Sequence, residues 1–121
     1  LDPSVHDGRY ANNAWLQELP KPLNKVTWDN VIVVSPRTAE RLGIAAQKMT
    51  KYQAEGATVT LNGRSGSGPV WVQAGHPDNS VNLQLGYGRA KAGRVGTGIG
   101  YNANLIRRAT APWFAVGAQV Q

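Results

Sequence analysis

The chain has no cysteine among its 121 residues. That excludes disulfides, thiolate ligands to zinc or iron–sulfur clusters, and a cysteine nucleophile. It has one Phe, one Met and two His. Apolar runs reach only four residues, as at Val31 to Val34, so no segment reads as a membrane-inserted helix. No charged n-region leads into an apolar h-region, so no signal peptide is expected, and the opening Leu1 suggests a fragment or a processed product. Acidic residues are few. None of the seven follows Asp78, and no two have a spacing that suggests a carboxylate pair for acid–base work. No serine lies in a G-x-S-x-G elbow, and His6 and His76 read as surface loop residues. A self-sufficient active site is not expected.

Glycine and basic charge are plentiful. There are 14 glycines and 7 prolines, which favour short strands and turns, and the net charge is +6. No Lys/Arg run exceeds two, so the basic surplus does not read as a nucleic-acid face. At 41% hydrophobic and 17% charged the chain suits one globular domain. Residues 1–25 read as an extended lead-in with a short helical turn at Asn13–Leu19, and 26–121 as the folded domain. Val31 to Val34 predicts a buried strand. Ser35-Pro36 predicts a helix N-terminus, with Gly43 as its stop. Residues 45–56 permit a helical turn or an insertion. Ala57–Leu61 alternates as a strand, Asn62-Gly63 signals a hairpin, and the return strand is expected from about Pro69 to Gln73. Val81, Leu83 and Leu85 alternate, and Trp113–Val120 reads as a last strand. Five or so short strands with one or two small helices imply a mainly β barrel.

The richest segment is 86–100. It holds six glycines with Arg89, Lys91 and Arg94 among them. Glycine lets main-chain N–H groups approach a ligand, and successive N–H groups beside guanidinium form an anion site. Surface turns with basic residues for solubility are the plainer reading. Gly96-x-Gly98-x-Gly100 lacks the following acid of a dinucleotide turn, and Gly88 to Gly93 is followed by Arg94-Val95 where a P-loop needs Lys-Ser/Thr. Trp28, Asp29 and Asn30 suit an apolar wall with hydrogen-bond acceptors for a purine, or an Asx-turn that starts the strand. Arg9, Asn12 and Asn13 put a cation and two amides near Trp15, or form a solvated loop with Trp15 plugged into the core.

Five stretches occur together in order: Asn13-Ala-Trp-Leu-Gln-Glu-Leu-Pro20, Thr27-Trp-Asp-Asn30, Ser35-Pro36…Ala39…Leu42-Gly43-Ile44, Pro69-Val-Trp-Val72 and Gly98-x-Gly100-x-Asn102. From Arg9 to Ala118 the chain resembles the C-terminal molybdopterin-dinucleotide-binding domain of the molybdopterin oxidoreductases. The branch it looks most like is the large iron–sulfur/molybdopterin-like subunit of alternative complex III and related polysulfide-reductase-like proteins. The resemblance implies a double-psi β-barrel that contributes loops to a molybdopterin guanine dinucleotide, with metal ligand and clusters in other domains of the same subunit. It implies that Arg9, Asn12 and Asn13 reach the cofactor, that Asp29 and Asn30 read guanine beside Trp28, and that Arg89 meets a phosphate. Gly86, Gly88, Gly98 and Gly100 would supply the loop and Asn102 a hydrogen bond to pterin or phosphate. It further implies a membrane-associated electron-transfer complex on the periplasmic side. The family's Gly-Asp turn is replaced by a longer 45–55 segment ending at Glu55-Gly56. In the alternative complex III branch the cofactor is understood to be lost, so a vestigial barrel with an assembly role is the second expectation.

Overall fold

The computed structural model describes residues 1–44 and 55–121. Its centre is one curled, mixed five-stranded sheet, a half-barrel, with a few short helices. The strands are β1 (Ile32–Val34), β2 (Gly56–Leu61), β3 (Arg64–Val72), β4 (Asn82–Leu83) and β5 (Gln119–Val120), in spatial order β4-β1-β3-β2-β5. β1 runs parallel to β3 with Ile32 opposite Val70, and the other pairings are antiparallel.

Local chemistry explains the best-defined elements. Ile32, Val33 and Val34 are all buried, as expected of a β-branched strand covered on both faces. The Ser35 hydroxyl accepts the Thr38 N–H at 3.0 Å and caps α2 (Pro36–Arg41), which has Pro36 in its first turn. Gly43 ends it at φ 71°. Asn62 and Gly63, at φ 53° and 76°, form the tight turn that fixes the β2–β3 register. Ile32, Val34, Ala39, Ile44, Ala57, Val59, Val70 and Ile106 make the core. Each large aliphatic buried there contributes roughly 1.5–3 kcal/mol by removal from water.

Three expectations are corrected. The return strand begins at Arg64, directly after the turn, and ends at Val72. Ser65-Gly-Ser-Gly68 resembles a loop in sequence, yet Ser65 and Ser67 pair their hydroxyls with Thr60 and Thr58 across the hairpin, each at 2.8 Å. Gly68 is needed there because the Tyr101 ring lies on that strand, where a Cβ would meet its Cε1 at 2.6 Å. The last strand is only Gln119–Val120, and Trp113, Phe114 and Val116 are exposed. Trp15 is not plugged into the core. It is 88% exposed on α1 (Ala14–Glu18), whose buried side chain is Gln17. The helix or insertion weighed for the stretch after Ile44 lies almost wholly at 45–54, outside the described residues.

The first 25 residues are a run of turns docked on the rest of the chain. Val5, Ala11, Gln17, Lys21 and Asn24 are buried.

Candidate functional site

The glycine segment folds back on two earlier parts of the chain. The Gly88 N–H donates to the Ile99 carbonyl at 2.8 Å and the Gly98 N–H to the Arg89 carbonyl at 2.9 Å, which closes 88–99 into a loop. Inside it, α3 (Gly93–Gly96) is a single turn. Asn12 Oδ1 accepts the Val95 N–H at 2.9 Å, and an Arg89 Nη donates to the Gly8 carbonyl at 3.0 Å. Gly86 lies against Val5 and Gly8, and Gly96 against the Ala11 carbonyl. Gly100 packs on the Asn30 side chain, and Gly88 on the Asn102 backbone.

Asp29, Asn30, Gly88, Arg89, Gly98, Gly100 and Asn102 therefore form one connected patch, joined through Arg89 and Asn12 to the lead-in. Within it the side chains differ in what they have left to offer. Asn30 is fully buried. Its Nδ2 donates to the Gln84 and Tyr101 carbonyls at 2.8 and 3.0 Å, and its Oδ1 accepts the Tyr101 N–H at 2.9 Å. Those bonds cross-link the patch and leave Asn30 no face for a ligand. Asn13 caps α1 through Leu16, and Asn102 caps a 3₁₀ turn at Ala103–Leu105 through Asn104. Arg9 clamps Asp7 with two bonds of 3.0 and 2.8 Å. The Arg9 guanidinium holds the Asp7 carboxyl well below the usual carboxylate range. By contrast, Arg89, Lys91 and Arg94 are exposed and make no ion pair among the described residues. Trp28, at φ 57°, is more than one-third exposed.

Asp29 Oδ1 accepts its neighbour Asn30's N–H at 2.7 Å, one residue short of the bond two residues on that defines the Asx-turn expected there. Burial pushes its carboxyl up from the ordinary value, against the opposing Asn30 bond and Lys21 charge.

Beneath the patch lies a residue that sequence reasoning missed. Lys21 is 2% exposed. Its Nζ donates to the Asp29 carbonyl at 2.6 Å and the Tyr87 hydroxyl at 3.0 Å, and stands 3.7 Å from Asp2 Oδ2. Burial lowers its pKa, only partly offset by Asp2 and Asp29. Pro20-Lys21-Pro22 reads as a solvated turn, and no local pattern marks Lys21 as interior.

Burial raises the Tyr87 and Tyr101 phenols far above their ordinary 10, with Asp29 adding to both. Both keep in the fold a proton that the unfolded chain releases above pH 10. Stability therefore falls as pH rises past 10, by about 1.4 kcal/mol per pH unit for each phenol. Lys21 acts the other way only up to 10.5, where the unfolded lysine has also lost its proton. Absorbance at 295 nm should show these two tyrosines ionising together with unfolding. Smooth titration of all tyrosines in a still-folded chain would contradict this burial.

None of the twelve sequence-selected residues lines the surface cavity at Val59, Leu85 and Ile106 or the one at Asn62, Arg64 and Arg108. Among the described residues no group of three or more His, Asp or Glu side chains could hold a metal, and no helix is long and apolar enough to cross a membrane. The chain matches no family model and no curated protein sequence.

Proposed function

We propose that this chain is a cofactor-binding domain of a larger molybdopterin oxidoreductase, and that its glycine and basic loop holds the phosphates of a molybdopterin guanine dinucleotide. The observation that carries the proposal is the connected patch. Three exposed cations that meet no carboxylate among the described residues, Arg89, Lys91 and Arg94, stand on a glycine loop that closes beside Asp29. Guanidinium and main-chain N–H donors suit a multiply phosphorylated guest. Asp29 is the acceptor for guanine, Trp28 the apolar wall, and Asn30 the brace that donates its N–H to Asp29. Arg9, Asn12 and Asn13 shape the lead-in that flanks the loop. On this reading the curled sheet belongs to a double-psi β-barrel, other domains of the subunit complete the pocket and carry any metal ligand, and the whole works in a membrane-associated electron-transfer complex. The domain binds and orients, and performs no chemistry alone.

A second reading has its own support. Asn30, Asn13 and Asn102 are engaged within the fold and Arg9 is engaged by Asp7. That inward use of polar groups suits a cofactor-free barrel with an assembly role.

Calorimetric titration with GDP at low salt separates the two. The first reading expects a Kd on the order of 1 mM, because half the pocket is elsewhere. Arg89→Ala should weaken it by about 10-fold or more, the worth of a charge-assisted hydrogen bond. No heat of binding at several-millimolar GDP favours the cofactor-free barrel.

A further inference from the structure

Among the described residues the half-barrel does not close. β4 and β5 stand at opposite ends of the sheet order, and a cavity of about 200 Å³ lies where the sheet is open. Val81 to Leu83 come to it from one edge and Ala118 from beside the other. Its floor is apolar, built from Val59, Leu85 and Ile106, all buried. Trp113 and Phe114 stand at its side, and Arg107 and Arg108 contribute the charge.

The two arginines are held differently. Arg107 lies over the Trp113 ring at 4.8 Å, and its Nε donates to the Pro112 carbonyl at 3.2 Å. Stacking fixes the guanidinium plane, and the Nη edge has no hydrogen-bond partner among the described residues. Arg108 is exposed. No carboxylate pairs with either arginine among the described residues, and residues 45–54 contain no acid. A hollow with an apolar floor, and at its lining a stacked guanidinium that meets no carboxylate among the described residues, suits an apolar body that ends in an anion. A planar fork favours carboxylate. A cavity of about 150 Å³ is known to admit benzene, so this one takes a phenyl ring or a branched alkyl group of similar size with a short linker.

We infer that the open side of the half-barrel is a binding site for a small aryl or branched-alkyl carboxylate, seated on Val59, Leu85 and Ile106 with its carboxylate on Arg107 and Arg108. The site shares no residue with the glycine-loop patch, so it stands or falls independently of the cofactor reading.

Amide chemical-shift titration of the 121-residue chain with 3-phenylpropionate, and separately with the neutral 3-phenylpropanol, tests this at constant ionic strength. The carboxylate should shift resonances of Leu83, Leu85, Ile106 and Trp113 and bind about 10-fold more tightly than the alcohol. The Arg107→Gln/Arg108→Gln double variant should lose that preference while still binding the alcohol, which shows that the cavity survives. Arg108→Gln alone, at an exposed position, should reduce the preference by about 3-fold. Equal binding of acid and alcohol by the unaltered chain, unchanged preference in the variants, or shifts confined to 86–100 would each overturn the assignment.

Discussion

Lys21→Ala should lower the free energy of unfolding by about 3–5 kcal/mol, the scale for breaking a buried charge pair from one side. Removing the ammonium leaves the Asp2 carboxylate, only 2% exposed, without its cation. Among the described residues Asp2 Oδ2 has no hydrogen-bond partner, so nothing else there compensates it. The Asp29 carbonyl and the Tyr87 hydroxyl lose their shared donor, and the Tyr87 face loses a cation 4.9 Å away. The Asp2 Oδ1 bonds to Ser4 and Val5, at 2.8 and 2.9 Å, survive in Asp2→Asn. Combining Asp2→Asn with Lys21→Met should therefore cost less than the two changes summed, with a coupling above about 1 kcal/mol. Urea midpoints give all four corners of that cycle. A loss under about 1 kcal/mol for Lys21→Ala would mean that the lysine is not buried as described.

Gly88→Ala is the second large effect. Gly88 sits at φ 71°, in the left-handed region. A Cβ there would run into the Asn102 nitrogen and the Tyr101 carbonyl carbon, both backbone atoms that cannot rotate aside. Left-handed strain costs a non-glycine residue roughly 1–2 kcal/mol, and forced displacement of packed atoms about 1–3 kcal/mol more. A total of about 2–5 kcal/mol is expected in chemical denaturation. Because Gly88 and Ile99 close the loop, the variant should also lose amide-exchange protection at Gly88 and Gly98. Gly98 offers a control in the same loop. It too has positive φ, at 73°, but beyond its chain neighbours no atom of the described residues lies within 4 Å of a Cβ placed there. Gly98→Ala should cost only the conformational part. Equal losses at both positions would show that loop closure on Asn102 is not what holds the segment.

The two variants show where sequence reasoning succeeds and where it stops. Features set by a few adjacent residues were legible. Ser35-Pro36 starts a helix and Asn62-Gly63 turns a hairpin because capping and positive φ are local properties. Ile32 to Val34 is a strand because its β-branched side chains admit little else in a dry interior. The glycine segment was legible as a loop rich in donors. Its partners were not. Arg89 reaches Gly8 and Asn12 reaches Val95 across more than eighty residues of chain, and no periodicity encodes that return. Lys21 stayed hidden for the same reason, since its counter-groups at Asp2 and Tyr87 come from distant stretches. Asn30 read as a hydrogen-bond acceptor for a purine beside Trp28, or as part of a turn that starts the strand. Here tertiary hydrogen bonds consume both ends of it. Trp113 to Val120 alternates too weakly to separate an edge strand from an exposed apolar segment.

Backbone amide shift mapping with GDP tests the central claim most directly. The account predicts perturbations concentrated at Trp28, Arg89, Gly98 and Gly100, weakening steeply as salt rises. Perturbations absent there, or confined to the cavity beside Arg107 and Trp113, would contradict it.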